Sequence, residues 1–263
     1  MFLSNLIKSN KILNLAQTKC ENIQLKYYRW KGGQIANFLH ISKTGGSAIK
    51  HTLADYLQTD NFIIHLRGHD CKLRDIPQGD KFFFCLRDPI ARFASAFYFK
   101  KRQTRPWKHS KFETERKILQ SFKTPEDLAI ALSTNDPVLR NLAVEGMTSI
   151  EHINTSYLDW FESESYFLSR FHDCLYVAFQ ESLDRDFECL KQILGLPQDL
   201  YITQNSNKAK INPQHGNQSS KTYQFSQAAT YNLKQWYARD YDFFNLCQSQ
   251  AQKRKIGSSE IAV

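Results

Sequence analysis

Residues 36–47 read Ala-Asn-Phe-Leu-His-Ile-Ser-Lys-Thr-Gly-Gly-Ser, an apolar run that breaks into a glycine pair. Ala36 to Ile41 is short and apolar enough for a buried parallel strand. From about Ser47 a helix is expected, because Ile49, Leu53 and Leu57 recur at i, i+4 and i+8 on one helical face. Between strand and helix stands Lys43-Thr44-Gly45-Gly46-Ser47. Two glycines let the backbone turn tightly and present successive N–H groups, and a helix N-terminus adds partial positive charge. Residues 43–48 therefore suit a cluster of anionic oxygens. Lys43 precedes the glycines, whereas the GxxxxGK[ST] phosphate loop places its lysine after them.

The pattern repeats outward from this unit. Phe62 to Leu66 predicts a second strand, and Lys81 to Arg87 a third that is apolar until its last residue. Asp88-Pro89 supplies a cap and a first-turn proline, after which Ile90, Phe93, Ala94 and Phe97 trace a helical stripe. Arg87 thus ends a buried strand, where open α/β sheets bind ligands, and Ser95 lies roughly opposite the stripe. A guanidinium and a hydroxyl in that place suit a second phosphate.

Thr124 begins a capping-box pattern with Asp127, helices run on to about Arg170, and Asn135-Asp136-Pro137 must interrupt them. Cys174 to Phe179 is a further buried strand, followed by a helix from Glu181 to Leu194 ending at Gly195. Asn205 to Lys221 reads as a long loop, which with Lys208, Lys210 and His215 is either a lid or an inert connection. A final helix spans Ser226 to Gln248. Alternating helix and strand give an α/β domain around a mostly parallel sheet flanked by helices. The division expected is an arm over 1–34, one domain over 35–250 and a flexible tail over 251–263.

The chain has 263 residues and a net charge of +9, which favours an anionic partner without choosing one. Lys100, Lys101, Arg102, Arg105, Lys108 and Lys111 crowd one segment around Trp107, either as a solvated helix end and loop or as an acceptor-binding strip. The 6 cysteines form no CxxC pair, so no metal site is expected. Cys85 and Cys174 read as buried free thiols in a reducing compartment. The first twenty residues lack a continuous signal-peptide core, and no stretch approaches the ~20 apolar residues of a membrane span. A cytoplasmic protein without an integral membrane segment is expected.

Phe38 to Ile49, FLHISKTGGSAI, resembles the 5'-phosphosulfate loop of the sulfotransferases that use 3'-phosphoadenosine 5'-phosphosulfate (PAPS), usually written HIPKTGGSS. Leu86 to Tyr98, LRDPIARFASAFY, resembles their 3'-phosphate motif. The likeness runs from about Asn37 to Arg102 and is nearest the carbohydrate sulfotransferases of the Golgi, including the heparan 2-O-sulfotransferase group. Ser42 stands where that family usually has proline, and no counterpart of the Golgi members' N-terminal anchor is expected.

The resemblance implies a P-loop-like three-layer fold, PAPS as sulfuryl donor without a metal, and a hydroxyl acceptor on a sugar or glycan. It implies that Lys43 neutralises the departing 5'-phosphate and that Thr44, Gly45, Gly46, Ser47 and Ala48 hold the phosphosulfate. Arg87 and Ser95 would bind the 3'-phosphate. For the base that takes the acceptor proton, histidine suits neutral pH, and His69 follows the second strand. The 2-O-sulfotransferases carry an HGH segment there, which favours His69 over His65 and Glu181. Two rivals stand beside this: an ATP-dependent P-loop phosphotransferase, and a non-catalytic binder of polyanions. No recognised nucleic-acid module is visible, and the oligomeric state is not legible.

Overall fold

A computed structural model describes residues 25–102, 110–202 and 223–260. The segment carrying Lys208, Lys210 and His215 lies outside the described residues, as do Arg105, Trp107 and Lys108.

Four parallel strands form one sheet in the order β2-β1-β3-β4: β1 Ile35–Leu39, β2 Ile63–Leu66, β3 Lys81–Leu86 and β4 Cys174–Phe179. Helix α1, Gly46–Leu53, joins β1 to β2. Helix α2, Pro89–Arg102, follows β3. Then come α3 (Ser110–Ser121), α4 (Pro125–Ala131), α5 (Pro137–Ser149) and the short α6 (Leu158–Phe161) and α7 (Glu164–Ser169). Beyond β4 lie α8 (Leu183–Leu194), α9 (Gln227–Trp236) and α10 (Ala238–Glu260).

The strands are apolar on both sides because both faces are covered. Phe38, Phe83 and Cys85 pack with Ile49 and Leu53 of α1 and with Phe187 and Leu190 of α8. Phe82, Phe84 and Leu86 point the other way, onto Phe161, Phe167, Phe243 and Phe244 of α6, α7 and α10. Three layers result. Phe93 and Phe97 of α2 nucleate a separate helical cluster with α3, α4, α5 and α9. Each fully buried phenylalanine contributes about 1.5–3 kcal/mol by leaving water.

The capping signals act as expected. Asp88 Oδ1 accepts from Ala91 N at 2.9 Å, and Thr124 and Asp127 close a capping box; the expected break at 135–137 falls where Asp136 caps α5 ahead of Pro137. Gly195 ends α8 in the left-handed conformation, at φ 69°.

Three expectations need correction. Helix α1 stops at Leu53 and leaves Leu57 45% exposed, because the Leu57 carbonyl instead accepts from Ile64 N at 2.8 Å to lead the chain into β2. The last helix divides at Tyr237, whose hydroxyl is anchored to the Ile153 carbonyl at 2.9 Å. Lys100 is not on a solvated helix end: it is 2% exposed and paired with Glu151 at 2.5 Å and Glu115 at 3.6 Å. It falls on the buried side of α2 that Phe93 and Phe97 define, so its charge needs partners there.

Candidate functional site

The chain leaves β1 for β2 on one side and returns to β3 on the other, so the loops after β1 and β3 diverge at the carboxyl ends of adjacent strands. Such a switch point opens a crevice, and both expected anion sites lie on it. Leu39 pairs with Phe84, which places Lys43 four residues and Arg87 three residues past that register.

The loop after β1 alternates in handedness. Lys43 has φ 67° and Gly45 has φ 91°, while Thr44 between them is not left-handed. Alternation of this kind is the backbone pattern that forms anion-binding concavities, and α1 begins at Gly46 with no side-chain cap on its first turn, although the Ala48 N–H is already held by the Gly45 carbonyl at 3.0 Å. Gly45 is required by its φ, and a Cβ there would also meet Gln180 Cγ at 3.1 Å. At Gly46 the constraint is space: a Cβ would lie 2.5 Å from His40 Cδ2. Thr44 is buried and inward, donating from Oγ1 to the Ile41 carbonyl at 3.0 Å while its own carbonyl accepts from the Cys85 thiol at 2.9 Å. It therefore holds the loop through its buried side, and ligand contact falls to the backbone.

Lys43 Nζ stands 3.8 Å over the Phe99 ring. Burial, with Arg102, Arg87, Lys100 and Arg92 around it, lowers its ammonium to about 7. An electropositive pocket that suppresses the charge of its own lysine is suited to an anion, which reverses the penalty.

Arg87 is 4% exposed, and its Nε has no hydrogen-bond partner among the described residues. Burial pulls its pKa down, while Glu181, Tyr223, Tyr157 and Asp88 push it up. A buried guanidinium with an unmet donor is costly unless an acceptor arrives, which fits a phosphate. Ser95 is half-buried on α2. Tyr223, where the described chain resumes, stacks on Tyr98 of that helix at 5.5 Å.

His69 follows β2 on the other flank of the loop. Its Nδ1 is 2.9 Å from the His40 carbonyl, and its ring lies 3.8 Å from the His40 ring. A carbonyl can only accept, so Nδ1 carries the proton and Nε2 keeps its lone pair. Burial lowers the His69 pKa, so the ring is neutral at physiological pH. Burial, with His69, Lys50 and His51 nearby, holds His40 further down, at about 3. His65 shares Lys50 with this group but makes none of its ring contacts, and its other charged neighbours are Arg67, Arg29 and Asp80. Glu181 is on the Arg87 side, accepting from Asp88 N at 2.8 Å.

Two site residues were not read from the sequence. Arg92, 2% exposed, donates to Ser42 O at 3.1 Å and to Thr155 O and Oγ1 at 2.8 and 2.6 Å. An arginine one residue before Phe93 in an apolar stripe could have signalled it. His40, 6% exposed, closes the apolar strand and supports both Gly46 and His69.

The sequence model described as the sulfotransferase family matches residues 34–246. The chain belongs to the sulfotransferase family. No individually curated protein matches it. In this sulfotransferase the matched span covers the whole sheet and every residue of the crevice. Among the described residues no group of three or more His, Cys, Asp or Glu could hold a metal ion, and no helix is long and apolar enough to cross a membrane.

Proposed function

We propose that this sulfotransferase moves a sulfuryl group from PAPS to a hydroxyl on a carbohydrate or glycolipid. The observation that carries the donor is the pairing of the glycine-rich loop at residues 43–47, alternating in handedness, with the unpartnered Nε of buried Arg87, the two following neighbouring strands. One nucleotide with phosphates at both ends satisfies the two together. The likeness of both segments to the PAPS motifs supports the same conclusion.

When bound, PAPS supplies an electron-poor sulfuryl group that passes in line between two oxygens through a loose transition state. Lys43 sits over Phe99 in a partly dry site, where a fixed cation neutralises charge developing on the 5'-phosphate. Residues 44–48 orient the phosphosulfate, and Arg87 and Ser95 take the 3'-phosphate. His69, with its lone pair on Nε2, receives the acceptor proton. The carbohydrate acceptor rests on the family likeness of the segment around Gly68-His69.

Calorimetric titration with adenosine 3',5'-bisphosphate, ATP and AMP tests this. The bisphosphate should bind at least about tenfold more tightly than AMP, since a charge-assisted hydrogen bond contributes about 1.5–3 kcal/mol. A preference for ATP would sink the proposal in favour of phosphoryl transfer. Binding that survives Lys43→Ala and vanishes with salt would indicate a polyanion binder.

A further inference from the structure

His152 stands beside the crevice, in the link between α5 and α6, and neither the family likeness nor the sequence pattern singles it out. Its backbone is left-handed, at φ 70°, an unfavourable conformation for a residue with a side chain. The surroundings hold it there from both sides. Glu151 N donates to buried Glu115 at 3.1 Å and the Glu151 carboxylate binds Lys100 at 2.5 Å. On the other side the Tyr237 hydroxyl holds the Ile153 carbonyl at 2.9 Å, and Thr155, itself gripped by Arg92, donates to the His152 carbonyl at 3.4 Å.

That strain presents the imidazole to the site. Its ring centroid is 5.7 Å from Phe99, the ring under Lys43 Nζ, and 6.4 Å from His69. No described residue hydrogen-bonds either of its ring nitrogens. Two imidazoles whose centroids are 6.4 Å apart leave space for one oxygen making hydrogen bonds of about 2.8 Å to each.

We infer that His152 is an acceptor-contacting residue, which donates a hydrogen bond from its ring N–H to the reacting oxygen and so holds that oxygen between itself and His69. The inference rests on the sulfuryl-transfer function proposed above. Burial and the cations Lys43, Lys100 and Arg92 keep His152 low, at about 4, against the pull of Glu151, so both imidazoles are neutral: His69 keeps its Nε2 lone pair for the incoming O–H, and His152 has one N–H to donate to the oxygen. A hydroxyl oxygen fixed in this way is positioned before its proton leaves, which contributes through orientation rather than through a second proton transfer.

Water, as the simplest O–H acceptor, provides a probe that needs no knowledge of the natural one. In PAPS hydrolysis the water oxygen bonds to sulfur, the S–O bond to the 5'-phosphate breaks with its electron pair going to the phosphate, and one proton passes to His69. The products are sulfate and adenosine 3',5'-bisphosphate. Single-turnover release of labelled sulfate, with enzyme in excess over PAPS, should be slowed about tenfold or more by His152→Phe, which keeps the ring packing and removes both nitrogens. His152→Asn, which tolerates the left-handed backbone and keeps a polar group, should recover part of the rate. Affinity for the bisphosphate should stay within about twofold in both variants.

Hydrolysis by His152→Phe at the wild-type rate would overturn the inference and leave the proposed function standing. A rate loss matched by lost bisphosphate affinity would also overturn it, in favour of a structural role. Wild-type protein that neither binds the bisphosphate nor releases sulfate would overturn the donor assignment and the role of His152 with it.

Discussion

Arg92 on α2 donates from Nε to the carbonyl oxygen of Ser42 at 3.1 Å, fastening the loop that leaves β1 to the helix that follows β3. The same guanidinium reaches Thr155 and lies 4.9 Å over the Tyr157 ring. One buried cation thus joins the loop after β1 and the helix after β3 to the wall behind them.

Arg92→Leu should leave the Ser42 and Thr155 carbonyls without this donor, at a cost of about 1–3 kcal/mol for each buried group. Thermal melting should fall by roughly 2–4 °C per kcal/mol lost for a domain of this size. The stabilisation of wild-type protein by adenosine 3',5'-bisphosphate should shrink as well. An unchanged melting temperature would show that Ser42 is held by other means.

Binding of the bisphosphate should take up a proton at Lys43. The free ammonium titrates at about 7, and bound phosphate favours the charged form, so the pKa rises on binding. Calorimetry in buffers of different ionisation enthalpy should find uptake near one proton at about pH 8 and little at about pH 6, with affinity falling as pH rises above 7. Lys43→Ala should abolish the uptake. Uptake that persists in that variant would assign the proton elsewhere.

Arg87→Lys should be a poor replacement, because a point charge does not reproduce the fork of donors. Bisphosphate affinity should drop by about tenfold or more while AMP binding changes little. Equal losses for the two nucleotides would remove Arg87 from the 3'-phosphate.

Gly46→Ala should push its methyl into His40, which lies 2.5 Å from the position of a Cβ. His40 is 6% exposed and packed against His69, so overpacking should cost about 1–3 kcal/mol and slow turnover. Wild-type melting and activity in this variant would mean that the loop yields more easily than its burial implies.

The rate of sulfuryl transfer should fall as pH drops through the pKa of His69. The active form is neutral, and burial places that pKa below the ordinary 6.5 of histidine, so the acid limb should have its midpoint under 6.5. His69→Ala should flatten the limb and lower turnover by roughly a hundredfold or more, leaving bisphosphate affinity nearly unchanged. An acid limb that survives His69→Ala would assign the base to another group.

The sheet was legible because buried parallel strands are written as unbroken apolar runs. Cys174 to Phe179 matches β4 residue for residue, and the Lys81 run matches β3 to within one residue. Caps were legible for a similar reason, since Asp88 and Thr124 act on backbone only three residues away. Leu57 was misassigned because periodicity cannot register that its carbonyl is claimed by a strand. Lys100 was misassigned because its partners, Glu115 and Glu151, come from elements far along the chain.

Local sequence determined the glycine-rich turn, its place between strand and helix, and the arginine ending the third strand, since each depends on neighbours a few residues away. Tertiary structure alone decided that these two segments sit on adjacent strands, that Lys43 is crowded by cations, and that the His40, His69 and His152 rings come together. Those features arise from strand order and long-range packing, which bring together residues separated by tens of positions and carry no short-range signature.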